Sequence, residues 1–239
     1  RPLRDGVISK YDITQQMIQY FINKACGPQI FKPRMVICIP SGVTEVEKLA
    51  VENAVFEAGA RNVSLVEEPI AAAIGSGLRV SGNRGCMIVD IGGGTTEVAV
   101  ISMDGIVASR SLRIAGDEMD NAIIQYMKKN RGVHIGEVTA EALKIKIGSA
   151  HSSADVGSMK VFGRSTADNS AVEVEVHSGE IRQAIRMPIE QIIAAIKGTL
   201  EDTPPELAAD IYEYGITVAG GCALLGGIAP MIAARTGLK

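Results

Sequence analysis

The stretch from Val89 to Ser102, VDIGGGTTEVAVIS, most constrains what this chain can fold into. A β-branched run reaches Asp90, breaks on Gly92, Gly93, Gly94, Thr95 and Thr96, and resumes as a second strand. Consecutive glycines let a backbone turn tightly and bring its N–H groups close to an anion. The threonines add hydroxyl donors. Asp90, at the strand end, has the chemistry to hold a hydrated magnesium ion, which prefers one or two carboxylates with water and phosphate oxygens. Together these residues point to a hairpin that binds phosphate and magnesium, hence a nucleotide. A plain glycine-rich β-hairpin would also explain the glycines, but it needs neither the aspartate nor the paired threonines.

The chain's 239 residues suit one large or two modest domains. Hydrophobic residues make up 46% and charged residues 21%, an ordinary globular balance. A net charge of −3 gives no general attraction to nucleic acid or an anionic membrane, so such a contact would have to be local. No apolar run is long enough to span a bilayer, and no secretory leader is recognisable. Cys26, Cys38, Cys86 and Cys222 lack metal-ligand spacing, and three of them sit in apolar surroundings, which reads as a reduced, cytosolic protein. His134, His151 and His177 are scattered and suggest no site.

Apolar periodicity predicts a helix from Asp12, with Gln15 completing a capping box, and a second from Ser41–Thr44 to Ala58, ended by Gly59. Strands are expected at 35–39, 63–66, 87–91, 97–102 and 106–114, and helices at 68–74, 118–129 and 139–147. Residues 148–177 read as a small β-containing insertion. A long helix from Gly179 to about Leu200 follows, then a turn at Pro204-Pro205, a strand at 215–219 and a helix from Ala223 to about Thr236. This alternation implies an α/β fold with mixed sheets flanked by helices.

Further motifs carry chemistry. Gly220-Gly221-Cys222-Ala223 lies between a strand and a helix, a place where backbone amides and a helix dipole can bind an anion, although an ordinary glycine turn fits as well. Glu67-Glu68-Pro69 opens a helix; the pair either complements the dipole or orients a water for attack on a γ-phosphate. Glu141 and Lys144 stand one helical turn apart, either as a solvated ion pair or as a pair meeting a ribose and base. Ile30 and Phe31, flanked by Lys24, Lys32 and Arg34, either fold onto the core or form an apolar tip against an anionic lipid surface.

The order of these pieces resembles the MreB family of bacterial actin homologues. The resemblance is carried by IPSGVTEVEKLAVENA (39–54), VEEPIAAAIGSGL (66–78), DIGGGTTEVAVIS (90–102), RIAGDEMDNAI (113–123), TAEALKIKIGSA (139–150), TPPELAADI (203–211) and GITVAGGCALLGG (215–227). It implies an actin-like (ribonuclease H-like) fold in which 1–79 belong to the first domain, 80–118 with 178–239 to the second, and 119–177 to its inserted α+β subdomain. It also implies an ATP-binding, filament-forming protein that maintains rod shape by organising wall synthesis, with slow ATP hydrolysis coupled to assembly. Asp90 would hold the hydrated Mg²⁺, Gly92 to Thr96 would form a phosphate loop with Thr95 near the γ-phosphate, and Glu68 would position the attacking water. Gly116 and Asp117 would line the cleft, Glu141 and Lys144 would meet the nucleoside, and Gly220, Gly221, Cys222 and Ala223 would border adenine and phosphates.

The expected partners are further copies in antiparallel protofilament pairs, inner-membrane lipid through Ile30 and Phe31, and membrane proteins of the wall-elongation machinery such as RodZ, with no nucleic acid. The location implied is cytoplasmic and peripheral on the inner face of the cell membrane. Against the family pattern, the chain lacks an opening phosphate loop, stops before a final strand and helix, and carries Cys222 where a third glycine is usual. It therefore reads as an internal fragment with one cleft wall absent, whose first domain exposes apolar surface. The competing readings are a monomeric Hsp70-like or sugar-kinase-like ATPase and a non-hydrolysing scaffold.

Overall fold

A computed structural model describes residues 3–4, 7–8, 10–27 and 31–239. A two-stranded antiparallel ribbon, β1 (Leu3–Arg4) and β2 (Val7–Ile8), precedes helix α1 (Tyr11–Cys26). Strand β3 (Arg34–Ile39) leads through Pro40 into α2 (Glu45–Glu57), and β4 (Asn62–Glu67) returns parallel to β3 with Ile39 opposite Glu67. Thr44 caps α2 in a reciprocal box with Glu47, and Gly59 leaves the helix end at φ 111°. Helix α3 (Glu68–Gly75) follows β4 without a break, with Pro69 in its first turn.

The second half is built on β5 (Cys86–Ile91), β6 (Thr96–Ser102), β7 (Gly105–Leu112) and, far along the chain, β11 (Ile216–Ala219). The strand order is β11-β5-β6-β7, with β11 parallel to β5 and the other pairs antiparallel. Every residue of β6 is buried, because both sheet faces are covered. On one face Met87, Val89, Ile91, Val98 and Val100 pack against α4 (Gly116–Asn130) and α6 (Ser178–Glu201). On the other, Cys86, Ile88, Ala99 and Ile101 meet Ala73 of α3. Helix α6 presents Ile181, Ile185, Ile189, Ile192 and Ile196 at helical spacing and runs through Pro188.

Within 148–177, β9 (Ser158–Ser165) and β10 (Ala171–His177) form with the earlier β8 (Val133–His134) a three-stranded sheet, β10-β9-β8, beside α5 (Glu137–Ile147). Gly163 is dictated by contact: a Cβ there would lie 2.4 Å from Val133 Cγ1.

Four expectations are corrected. Helix α1 begins at Tyr11 after Lys10, without a side-chain cap, so Asp12 contributes to the dipole and Gln15 makes no capping box. Pro205 opens a ten-residue helix, α7 (Pro205–Tyr214), where a turn was expected; proline suits a helix's first position. The last helix, α8 (Ile228–Thr236), begins after a 3₁₀ turn over Gly221–Leu224 and Gly227 at φ 76°, so it does not start at Ala223. Among the cysteines, Cys86 is buried and Cys222 half-buried, whereas Cys26 and Cys38 are exposed. The first half does expose apolar side chains, including Phe21, Val36, Val46, Leu49 and Phe56. Replacing Ile192 by alanine should destabilise the fold by about 2–5 kcal/mol, seen as a lower urea midpoint, because Ile192 is fully enclosed between the sheet and its neighbouring helices.

Candidate functional site

Strand parity assembles the acidic side of the site. Asp90 and Glu97 lie directly opposite on β5 and β6, on the same face as Ile88 and Ala99. Pairing continues from Asp90 to Ala219 on β11 and from Glu97 to Ser111 on β7. Helix α3 covers this face, and its first residue is Glu68. Three carboxylates therefore converge. Burial, then Glu97, then Asp90 push the Glu68 carboxyl up to about 7. Burial and Glu97 also raise Asp90.

Glu97 is 1% exposed and well supplied with donors. Ser41 N–H (3.2 Å) and Ser41 Oγ (2.5 Å) donate to Oε2, and Ser111 Oγ (2.5 Å) donates to Oε1.

The phosphate-type hairpin closes with Gly92 N–H donating to the Thr95 carbonyl at 2.9 Å. The start of α4 is tied to it: Gly116 N–H donates to Gly92 O (3.2 Å) and Asp117 N–H to Gly93 O (2.7 Å). Among the described residues, the N–H groups of Gly93, Gly94 and Thr95 and the Thr95 hydroxyl have no protein acceptor. Thr96 differs. It is fully buried, and its Oγ1 donates to Ile114 O at 2.7 Å, which binds the hydroxyl into the sheet edge.

Beside the hairpin lies a cavity of about 370 Å³ walled by Gly92 and Gly93, the first turn of α4, Glu141, Lys144 and Ile145 of α5, and Gly221, Cys222, Leu224 and Leu225 of the glycine turn. Lys144 reaches the wall, but its ammonium is engaged by Gly116 O (2.9 Å) and Asp120 Oδ2 (2.8 Å), and both side chains of the ion pair are only 11% exposed. Asp120 Oδ1 is buried without a partner, and desolvation outweighs Lys144 in raising that carboxyl. Glu141 remains exposed at the rim. Cys222 Sγ contacts Gly92 O at 3.4 Å, and burial raises its thiol pKa.

The glycines divide by role. Gly220 has φ 83°, and a Cβ there would lie 2.4 Å from Asp90 Oδ1 and from Ile91 O, so only glycine lets β11 turn past the end of β5. A Cβ on Gly116 would crowd Lys144 Nζ at 3.1 Å and Cys222 Sγ at 3.2 Å. Gly93 and Gly221 would meet nothing within 4 Å, so their missing side chains leave space beside the cavity.

The structure thus gathers Gly92, Gly93, Gly116, Asp117, Glu141, Lys144, Gly221 and Cys222 around one cavity. Asp90 and Glu68 sit on the neighbouring acidic face. Gly94, Thr95, Thr96, Gly220 and Ala223 are not in the cavity wall. Ile30 lies outside the described residues, and Phe31 is 78% exposed. Sequence reading missed Glu97 and Asp120. Strand alternation from Asp90 across a two-stranded hairpin would have found Glu97, and Asp120 follows Met119 on the buried face of α4.

A mixed sheet flanked by helices, with an open-amide hairpin beside a cavity between helices and a glycine turn, defines an actin-like protein. The same fold occurs in MreB5 of Spiroplasma citri bound to ADP, with a TM-score of 0.94 and 37% identity over 99% of this chain and 71% of that one. The AMPPNP-bound form of that protein gives the same TM-score and covers 72% of its chain. The cell shape-determining protein MreB of Escherichia coli K12 is 46% identical over all of this chain and 69% of its own length. The MreB/Mbl protein family matches residues 1–239. The chain belongs to the MreB/Mbl family.

Gly220→Ala should lower the melting temperature measurably, because it combines positive φ with a backbone collision, whereas Gly93→Ala should leave it nearly unchanged. Glu68 generates a pH effect with a definite sign. Its carboxyl rises from an ordinary 4.5 to about 7 on folding, so the folded state holds more proton between those values and loses stability as pH rises through them. Without nucleotide or metal, Glu68→Gln should melt above the wild type near about pH 8, and the gap should close towards about pH 5.

Proposed function

We propose that this chain binds ATP at the cavity and hydrolyses it slowly, with Glu68 positioning the attacking water. The observation that carries the reading is a carboxyl poised near 7 on the acidic face beside a hairpin with unused amides. A general base works best with a pKa near the operating pH, and γ-phosphoryl transfer depends on positioning and electrostatics. Thr95, with its hydroxyl uncommitted, is assigned to the γ-phosphate, and Gly92 to Gly94 to the phosphate oxygens. Gly116, Asp117, Gly221 and Cys222 wall the nucleotide, and Glu141 meets the ribose from the rim. Lys144 serves more as a brace for α4 than as a direct nucleoside contact, since its donors already meet Gly116 and Asp120.

Asp90 is assigned to magnesium. As a single carboxylate at the strand end, it would hold a hydrated ion through water. The crowding that raises Asp90 and Glu68 is the electrostatic signature of a place that favours a cation. When bound, magnesium would offset the phosphate charge.

Family membership and the ADP- and AMPPNP-bound relatives support a nucleotide-dependent actin-like protein over an Hsp70-like or sugar-kinase-like one. We assign residues 1–79 to a first domain, 80–118 with 178–239 to a second, and 119–177 to its insertion. Self-assembly into paired antiparallel protofilaments, a role in rod shape through wall synthesis, and contact with membrane partners such as RodZ complete the reading. Ile30 and Phe31 are assigned to inner-membrane lipid at the cytoplasmic face, supported by the exposure of Phe31 beside exposed Lys32 and Arg34. No helix among the described residues is long and apolar enough to cross a membrane.

Glu68→Ala should keep ATP binding while lowering phosphate release by about 10²- to 10⁴-fold in a coupled phosphate assay. Binding with undiminished release would remove Glu68 from the mechanism, and binding with no release by the wild type would favour the scaffold reading. Pelleting should depend on Mg-ATP. Replacing Ile30 and Phe31 by serine should reduce co-sedimentation with anionic liposomes while leaving assembly intact.

A further inference from the structure

Glu97 touches both halves of the fold. Its Oε2 accepts from the Ser41 N–H and hydroxyl, which belong to the loop between β3 and α2, and its Oε1 accepts from Ser111 on β7. The loop sits directly on the second sheet, since a Cβ on Gly42 would lie 3.5 Å from Ser111 Cβ. A carboxylate buried this deeply is costly unless its lone pairs are met, and here three donors meet them from two directions. The route from Ser41 to the proposed base is short. Ser41 follows Ile39 by two residues, Ile39 is the register partner of Glu67, and Glu68 comes next. Fixing the Ser41 loop therefore fixes the edge of the β3–β4 pair from which Glu68 is presented.

We propose that Glu97 is a positioning residue: it clasps the Ser41 loop to β7 and thereby holds Glu68 in register with the phosphate hairpin. This role rests on the hydrolytic reading above. Glu97 touches no reacting atom in it. The groups facing this cluster are Glu68 from α3, Asp90 from β5 and, on the Glu68 side, Cys38 from β3.

A glutamine can keep the clasp. Its amide oxygen can take both Ser41 donors, and its NH₂ can donate to Ser111 Oγ, which reverses its role. The test measures phosphate release, KM for ATP and amide hydrogen exchange at Ser41 in the full-length protein. Glu97→Ala should lower kcat by about 10- to 100-fold with little change in KM, and should speed exchange at Ser41. Glu97→Gln should recover most of the lost turnover and the protection. Wild-type kcat in Glu97→Ala would overturn the clasp, as would a Glu97→Gln protein as slow as Glu97→Ala. If Glu97→Ala does not fold, Ser41→Ala removes a single hydroxyl and should still lower kcat with KM held; unchanged kcat there overturns the proposal. A wild type that binds ATP and protects Ser41 but releases no phosphate would instead overturn the hydrolytic reading, and this role with it.

Discussion

Two like charges set directly opposite on a buried face of a sheet are unfavourable, and the β5–β6 hairpin contains such a pair in Asp90 and Glu97. Much of the site can be understood as the response to that constraint. Glu97 is relieved by three donors drawn from two separate segments. Asp90 keeps a raised pKa, and so does Glu68 when α3 brings it against the same face. The gathered negative charge holds the Glu68 carboxyl near neutrality, and in the proposed function it is what a bound cation would relieve. Stability is sacrificed locally where the chemistry is proposed to occur.

The cavity next to this cluster is shaped by absence of side chains as much as by their presence. Gly220 is a glycine because neighbouring atoms leave no room, and at Gly116 a Cβ would be tightly crowded. Gly93 and Gly221 are exposed at the cavity's edge, with no heavy atom within 4 Å of where a Cβ would stand. Opposite them, the Asp120–Lys144 pair ties α5 to the first turn of α4, and Gly116 and Asp117 of that turn are tied to the hairpin. Hairpin, helix start and α5 therefore form one connected wall, with Cys222 touching it from the glycine turn.

The strong periodicities were legible. The apolar stripe of α6, the alternation of β9 and β10, and the short, largely apolar runs of β5 and β6 rich in Ile and Val all declare their elements. Reading failed where local signals have two meanings. Pro204-Pro205 marks a turn or a helix start equally well, and the following α7 decided it. The glycine turn after β11 led to a 3₁₀ turn before α8 because Gly227 takes up a left-handed conformation. Thr95 and Thr96 look equivalent in sequence, yet strand parity buries Thr96 and leaves Thr95 uncommitted.

By itself the sequence determined the fold class, the glycine-rich hairpin, the family and most of the residues that wall the cavity, because these depend on periodicity, glycine and short motifs along the chain. Tertiary structure alone decided which carboxylates meet. Ser41, Glu68, Asp90, Glu97 and Ser111 come from five different segments, and only strand register and the seating of α3 bring them together. Tertiary packing also turned Lys144 towards Asp120. Electrostatic coupling falls with distance in space, so charges remote in sequence acquire their chemistry only when the chain has folded.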